Sequence, residues 1–134
     1  MDVSQLMTRD VISVGETATV GEAIGLMVEY GFRHLPIVRG RRPVGMVSDR
    51  DLRRVEGMLA SALAGGEGGA SYDSPITALA QGEPVTVAAS ASVRDAIDAM
   101  LGAHVSSVMV VDERGELAGI VSTVDVLRAA RAFF

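Results

Sequence analysis

The sequence predicts a mixed α/β (α+β) fold in which two β-α-β-β-α repeats, related by a pseudo-twofold axis, pack sheet to sheet. Three observations lead to this prediction. The chain of 134 residues repeats itself, and apolar residues recur at helical spacing within each copy. A single copy of about 50 residues is too short to bury much of a core alone. We therefore expect the two copies to share one domain.

The internal repeat is clearest in two helical stretches, TVGEAIGLM from Thr19 and SVRDAIDAM from Ser92. A second pair follows, VGMVSDRDLRR from Val44 and AGIVSTVDVLR from Ala118. The two copies of the second pair lie one residue further apart along the chain than the two copies of the first pair. One residue is therefore inserted in the second copy, in the turn between the two stretches. Self-similarity at a nearly fixed period indicates a fold built from repeated structural units.

Six short β-prone segments, three in each copy, surround the repeated helices. They are rich in β-branched residues and are bounded by turn residues, as is typical of strands. In chain order they are VISV (11–14), HLPIV (34–38), VGMVS (44–48), PVTV (84–87), SVMVV (107–111) and AGIVS (118–122). The intervening turns, RGRRP and DERGE, predict one hairpin in each copy.

The helices carry local start and stop signals. Thr17 or Thr19 is expected to cap the first helix and Ser90 or Ser92 its copy, because hydroxyl oxygens accept bonds from unpaired helical amides. Gly31 is expected to end the first helix, since glycine adopts the left-handed backbone conformation common there. A closing helix is predicted after each copy of the Ser-x-x-Asp sequence.

The repeats divide the chain into three segments. Residues 1–64 form the first repeat, 65–77 a flexible Gly-rich linker, and 78–134 the second repeat.

Composition excludes several classes of function. The chain has no cysteine and only two histidines, which argues against disulfides, thiolate chemistry and a histidine-rich metal centre. A net charge of −5 argues against nucleic-acid binding, which needs a dense cationic surface. No apolar run approaches the ~20 residues of a membrane span, so a cytoplasmic protein without a membrane partner is expected.

The repeated Ser-x-x-Asp sequence, Ser48 to Asp51 and Ser122 to Asp125, has two interpretations. As a capping box, the serine accepts a bond from a helical amide and the acid reaches back to the serine amide. As a nucleotide half-site, the helix start would hold a phosphate and the acid would accept the ribose hydroxyls. For one copy alone the capping interpretation is stronger; the duplication favours a site.

Gly45 and Gly119 stand three residues before the two serines. Because glycine has no side chain, a ligand could approach the strand closely there.

The doubled Gly-h-h-Ser-x-x-Asp motif, where h is apolar, together with the RHLPIV strand and the Ala-Ile-x-x-Met helices, resembles the cystathionine β-synthase (CBS) domain family. The resemblance extends over roughly Gln5 to Arg131 and is to a tandem pair, or Bateman module. It implies a non-catalytic regulatory module without a cofactor. Such a module binds AMP, ADP, ATP or S-adenosylmethionine in clefts between the repeats, forms a homodimer and can regulate a protein partner.

The resemblance also implies the residues of each cleft. The first cleft combines Ser122 and Asp125 with Thr8, Val11, Ile12, Phe32, Arg33, His34, Leu35 and Pro36. The second combines Ser48, Arg50 and Asp51 with Val85, Thr86, Val105, Ser106, Ser107 and Val108.

The two clefts are not expected to be equal. Arg33 and His34 offer basic groups for a phosphate in the first cleft, where the second has Ser106 and Ser107. Met109 also replaces the proline that the family commonly has at this strand. The cleft built on Asp125 is therefore expected to be the better nucleotide site.

Two other functions are weighed against ligand sensing. In the first, both clefts are vestigial and the dimer is a structural module that docks a protein partner. In the second, the chain is a small hydrolase or transferase. Nothing orders Ser48, His34 and Asp51 as nucleophile, base and orienting acid, so we expect no enzyme.

Overall fold

The structure is a computed structural model that describes residues 1–51, 53–54, 57, 72–80 and 83–134. The chain divides into two compact units. Unit 1 consists of Met1–Ile12, Arg41–Pro43 and Pro84–Phe134, and unit 2 of Ser13–Gly40 and Val44–Glu83. The units do not follow the sequence repeats, because the first twelve residues belong with the second repeat.

The helices and strands of each copy follow in the order β-α-β-β-α that the repeat predicts. In chain order they are α1 (Val3–Leu6), β1 (Val14–Gly15), α2 (Val20–Tyr30), β2 (His34–Arg39), β3 (Arg42–Ser48), β4 (Thr86–Ala88), α3 (Val93–Ala103), β5 (Ser107–Val111), β6 (Leu117–Ser122) and α4 (Thr123–Ala130). Residues 49–51, 53–54 and 57 are helical, and short 3-10 helices cover Ile76–Ala78 and Arg131–Phe133. Within the described part of the chain, no helix is long and apolar enough to cross a membrane.

Two three-stranded sheets, ordered β1-β2-β3 and β4-β5-β6, confirm the mixed α+β class. The first strand of each sheet runs parallel to the second, with Val14 beside Ile37 and Thr86 beside Met109. β5 and β6 are antiparallel, and a bulge interrupts their register next to Val110. This bulge lies in the hairpin of the second repeat, where the sequence comparison places the inserted residue.

The first predicted strand of each copy begins later than the sequence pattern indicates. The pattern predicted a strand over 11–14, but β1 starts at Val14. Asp10, immediately before the predicted strand, has a left-handed backbone with φ of 54°, which lies outside the extended region. β4 likewise starts at Thr86 rather than Pro84, and proline has no N–H to donate to a sheet.

Hydroxyl side chains begin the long helices as predicted, and the structure chooses between the alternatives. Thr19 caps α2 by accepting a bond from the Glu22 amide at 3.1 Å, and Ser92 caps α3 in a full capping box. Gly31 ends α2 with φ of 71°. His104 takes the matching left-handed position after α3 with φ of 56°.

Each unit buries apolar side chains from its sheet and helices. In unit 1 the core contains Val3, Ala96, Met100, Val108, Val110 and Val121. In unit 2 the buried apolar residues include Val20, Ala23, Met27, Leu35, Ile37, Val47 and Ile76. Val28 and Leu101, the apolar residues that directly follow Met27 and Met100, are exposed by 78% and 69%.

A segment that the strand-helix pattern did not predict packs at the start of each long helix. In unit 1, the Val3 amide donates to the Ala91 carbonyl at 2.9 Å and the Val93 amide donates to the Met1 carbonyl at 3.0 Å. In unit 2, the Ile76 amide donates in the same way to Ala18 at 2.8 Å. Residues 65–71 of the predicted linker lie outside the described residues. At the other end of that linker, Ile76 is hydrogen-bonded to Ala18.

Candidate functional site

Ser122 and Asp125 form a closed hydrogen-bonded pair where β6 meets α4. One carboxylate oxygen of Asp125, Oδ2, accepts from the Ser122 amide at 2.8 Å and from the Ser122 hydroxyl at 3.0 Å. The Asp125 amide donates to the Ser122 hydroxyl oxygen at 3.3 Å. Both residues are half-buried. The serine therefore caps the helix and also holds the carboxylate in one orientation.

Ser48 and Asp51 repeat this geometry in unit 2. Asp51 Oδ2 accepts from the Ser48 amide at 2.8 Å and from its hydroxyl at 3.0 Å, and the Asp51 amide donates to the hydroxyl oxygen at 3.3 Å. The capping interpretation is thus correct for both copies.

The closed pair also fixes which atoms remain for a ligand. The hydroxyl proton of each serine is directed at the aspartate, so it is not offered outward. Because Oδ2 already accepts two bonds, Oδ1 is the oxygen with lone pairs to spare. A single Oδ1 can accept from both hydroxyls of a vicinal diol. The motif therefore presents a fixed carboxylate acceptor rather than a serine-based donor.

Fewer helical amides are available for a phosphate than the sequence predicts. The Thr123 amide donates to the Ser106 carbonyl, and the Asp49 amide donates to the Arg33 carbonyl, each at 2.9 Å. These bonds also place Ser106 beside the start of α4 and Arg33 beside the start of the helix after Ser48. Each helix start is therefore tied to the loop that precedes the central strand of the same unit.

Thr8 lies beside the second motif within unit 1. Its amide donates to the Ile120 carbonyl at 2.9 Å, and its carbonyl accepts from the Ile120 amide at 3.1 Å. Ile120 stands two residues before Ser122 in β6. The backbone of Thr8 is thus paired with the strand that carries the motif, and Thr8 itself is exposed.

The prediction that Gly45 and Gly119 leave room for a ligand beside the strand is wrong. Close to Gly119 lie Met7 and Thr8, whose Sδ and carbonyl oxygen would stand 2.6 and 2.8 Å from an added Cβ. Close to Gly45 lies Ala80, whose Cβ would stand 3.1 Å away. The space that glycine leaves is filled by the chain itself. Both glycines admit a neighbouring segment of protein, not a ligand.

Each predicted cleft draws residues from both units, so the structure describes each half separately. Unit 1 contains Thr8, Val11, Ile12, Val85, Thr86, Val105, Ser106, Ser107, Val108, Ser122 and Asp125. Unit 2 contains Phe32, Arg33, His34, Leu35, Pro36, Ser48, Arg50 and Asp51. The combination of the two halves into clefts stays a prediction.

Burial limits what some of the predicted residues can offer to a ligand. Leu35, Pro36 and Val108 are fully buried, so their side chains serve the packing of their units, and only their backbone groups can face a ligand. Arg33 and Arg50 are exposed and can offer their charge to one.

His34 is a titratable group of unit 2 whose surroundings shift its pKa. Burial lowers the pKa of His34 below its ordinary 6.5, and the positive charge of Arg33 acts in the same direction. The carboxylates of Asp49 and Asp51 oppose this shift only in part. The imidazole is therefore neutral at pH 7, and attraction for a phosphate at this strand rests on Arg33.

One charged residue that the sequence analysis did not single out contacts the motif formed by Ser48 and Asp51. Arg54 Nη2 lies 3.6 Å from Asp51 Oδ1. Its position three residues after the aspartate was a usable signal, because residues three apart face each other on a helix.

The described residues contain no group of three metal-ligating side chains that could hold an ion.

Comparison with known proteins follows the same repeat. A family model described as CBS domain matches residues 3–57 and again 76–132. Inosine-5'-monophosphate dehydrogenase of Korarchaeum cryptofilum is 33% identical over 118 residues, which are 88% of this chain and 22% of that enzyme. An uncharacterized protein of Methanocaldococcus jannaschii is 28% identical over 127 residues, or 95% of this chain and 43% of its own. The chain thus spans less than half the length of these relatives.

Two solved structures cover nearly the whole chain. CBSX2 in complex with AMP has a TM-score of 0.79 and 28% identity, and the match covers 98% of this chain and 97% of CBSX2. The CBS domain protein PAE2072 from Pyrobaculum aerophilum, complexed with AMP, has a TM-score of 0.76 and 26% identity, covering 98% and 99%. With one family match on each repeat, this chain belongs to the CBS domain family as a tandem pair.

Proposed function

We propose that this chain is a non-catalytic regulatory module that binds an adenosine nucleotide. The observation that carries the proposal is the pair of identically built Ser-x-x-Asp motifs. In each, two hydrogen bonds from the serine fix the carboxylate and leave Oδ1 to accept from a sugar. A capping box needs only the two bonds from backbone amides. The additional bond from the serine hydroxyl to the carboxylate is not required for capping.

Each part of an adenosine nucleotide has a counterpart in the predicted first cleft. Asp125 would accept the ribose hydroxyls, as acids do in dinucleotide-binding folds. Arg33, which is exposed and always charged, would pair with the phosphate. The apolar side chains of Val11 and Ile12 would pack against the adenine. Ser122 would act only through Asp125.

AMP is the ligand we propose first, because AMP is bound in two similar structures that share 28% and 26% identity with this chain. ADP and ATP share its ribose and adenine, and S-adenosylmethionine shares its adenosine. The test must therefore compare all four. The cleft with Asp125 would be the stronger site, because it is the one that includes Arg33.

Isothermal titration calorimetry with AMP, ADP, ATP and S-adenosylmethionine tests the proposal. We expect heat of binding with at least AMP, loss of the stronger site in Asp125→Asn, and loss of the weaker site in Asp51→Asn. The exposed Glu113→Gln, in the β5–β6 turn, is the matched control and should bind as wild type. No heat with any of the four ligands at millimolar concentration would reject the proposal.

A homodimer is the second part of the proposal, and a specific apolar surface favours it. Between α3 and α4 of unit 1 lies a groove of about 200 Å³, lined by Ile97, Met100, Leu101, Thr123, Val126 and Leu127. Leu101 is 69% exposed and Leu127 65%. Apolar side chains exposed side by side commonly mark an interaction surface. A second copy would cover this groove.

A dimer whose ligand sites are vestigial is the alternative function, and the same groove would serve it. The absence of a ligand-induced shift in thermal unfolding, together with a stable dimer, would favour this alternative. The regulated protein partner is proposed only as a class, an enzyme or other protein whose activity follows nucleotide occupancy. The cytoplasm is the proposed location, in keeping with a chain that has no cysteine.

A further inference from the structure

The two motifs differ in one contact. In unit 2, Arg54 Nη2 lies 3.6 Å from Asp51 Oδ1, the oxygen that the Ser48 bonds leave open. Ser48 binds the other oxygen, Oδ2. The side chain of Asp51 is 25% exposed and that of Arg54 is 56% exposed. Both carboxylate oxygens of Asp51 are thus engaged by groups of its own helix and strand.

The second motif has an arginine at the same position but lacks this contact. Arg128 stands three residues after Asp125, as Arg54 does after Asp51. In the part of the chain that the structure describes, no cation lies within 4 Å of the Asp125 carboxylate. Asp125 Oδ1 is therefore open, whereas Asp51 Oδ1 already interacts with a cation.

We infer that Arg54 is a specificity-determining residue that competes with a ribose for Oδ1 of Asp51 and so makes this motif the weaker of the two. The inference rests on the proposed function, because it assigns the ribose to the two aspartates. A diol that binds Asp51 must displace or share the guanidinium, while a diol that binds Asp125 need not. The two copies of one motif thereby differ in affinity.

The expected size of the effect follows from the exposure of the pair. An exposed ion pair contributes little, because water and salt screen it, and its loss changes an equilibrium by about two- to fivefold at most. Removing the guanidinium should therefore tighten adenosine binding at Asp51 by about two- to fivefold. Higher salt should reduce the difference, since screening weakens the pair.

The experiment measures adenosine and AMP binding by calorimetry in an Asp125→Asn background, where the Asp51 motif alone remains. Adenosine is the primary probe because it has no phosphate to attract an arginine. Arg54→Gln is the test variant. The matched control is Arg128→Gln in an Asp51→Asn background, which should leave adenosine affinity unchanged. Thermal unfolding of each variant checks that it is folded.

The outcomes separate the inference from the proposed function. Tighter adenosine binding in Arg54→Gln, with no change in Arg128→Gln, supports the inference. Unchanged or weaker binding in Arg54→Gln overturns it while the proposed function stands, and weaker binding would make Arg54 a ligand contact. If the Asp125→Asn protein binds no adenosine, binding gained with Arg54→Gln still supports the inference, and none gained overturns it. The proposed function fails only if wild type binds none of the four ligands.

Discussion

The carbonyl oxygen of Thr8 lies so close to Gly119 that a Cβ at residue 119 would stand only 2.8 Å from it. The same carbonyl accepts a hydrogen bond from the Ile120 amide at 3.1 Å, so it cannot move away without losing that bond. Glycine at 119 is therefore required by the chain's own N-terminal segment. The relationship joins residues that are far apart in the sequence.

Gly119→Ala is expected to destabilise the protein by about 1–3 kcal/mol, the usual cost of forcing extra atoms into a packed site. Gly45→Ala is the matched variant, since the three nearest atoms to its added Cβ all belong to side chains, and the closest is the Cβ of Ala80 at 3.1 Å. It should cost less. Urea denaturation measures both free energies of unfolding. Equal losses in the two variants would contradict the steric assignment.

The sequence predicted the local elements well, because their signals are local. The caps at Thr19 and Ser92, the helix end at Gly31 and the capping boxes all depend on residues within one turn of each other. The strand β5 has the predicted bounds, Ser107–Val111. Periodicity and capping chemistry are sufficient where the partners are neighbours in sequence.

The N-terminal packing could not be obtained in this way, because its partners are distant in sequence. Val3 and Leu6 of α1 match Ile76 and Leu79 in the same alignment that places Thr19 over Ser92. That similarity was available and would have extended each repeat backwards. Which repeat each extension packs against, however, depends on non-local pairing such as that between Thr8 and Ile120. No local pattern specifies that pairing.

The candidate site shows the same division. The residue types and spacing of the motif were sufficient to identify Ser122 and Asp125. They were not sufficient to show that the serine proton is directed at the carboxylate, or that Arg54 contacts Asp51. Those facts depend on side-chain rotamers, which a sequence pattern does not determine.

Ser122→Ala should reduce both stability and ligand affinity. Loss of the cap is expected to cost about 1 kcal/mol, and loss of the bond that orients Asp125 should weaken AMP binding roughly two- to tenfold. Ser92→Ala is the matched control, because Ser92 and Asp95 form a capping box of two amide bonds on α3. It should lose similar stability and keep AMP affinity. Thermal unfolding and calorimetry distinguish the two effects.

A result in which Ser92→Ala and Ser122→Ala lower AMP affinity equally would contradict the orienting role. It would show that destabilisation alone accounts for the loss.

The apolar groove of unit 1 predicts the effect of charge on assembly. Leu101→Asp combined with Leu127→Asp should turn a dimer into a monomer, because burying two unpaired carboxylates in an apolar contact is very unfavourable. Both side chains are mostly exposed, so the fold should survive. Sedimentation equilibrium measures the mass, with Glu113→Gln as the control that stays dimeric. A monomeric wild type, or a double variant that remains a dimer, would contradict the proposed surface.

His34 predicts a pH dependence of stability. Burial lowers the pKa of His34 in the folded protein, so the unfolded chain takes up a proton first as the pH falls. The stabilisation is therefore fully present above the ordinary pKa of about 6.5 and is lost as the pH falls through the lower folded value. His34→Gln has no imidazole to protonate, so its free energy of unfolding should change less than that of wild type between pH 7.5 and pH 5, a range chosen to bracket the ordinary value at roughly one to two units. Urea denaturation across this range measures the two slopes. The same slope in both proteins would show that His34 is not the group responsible.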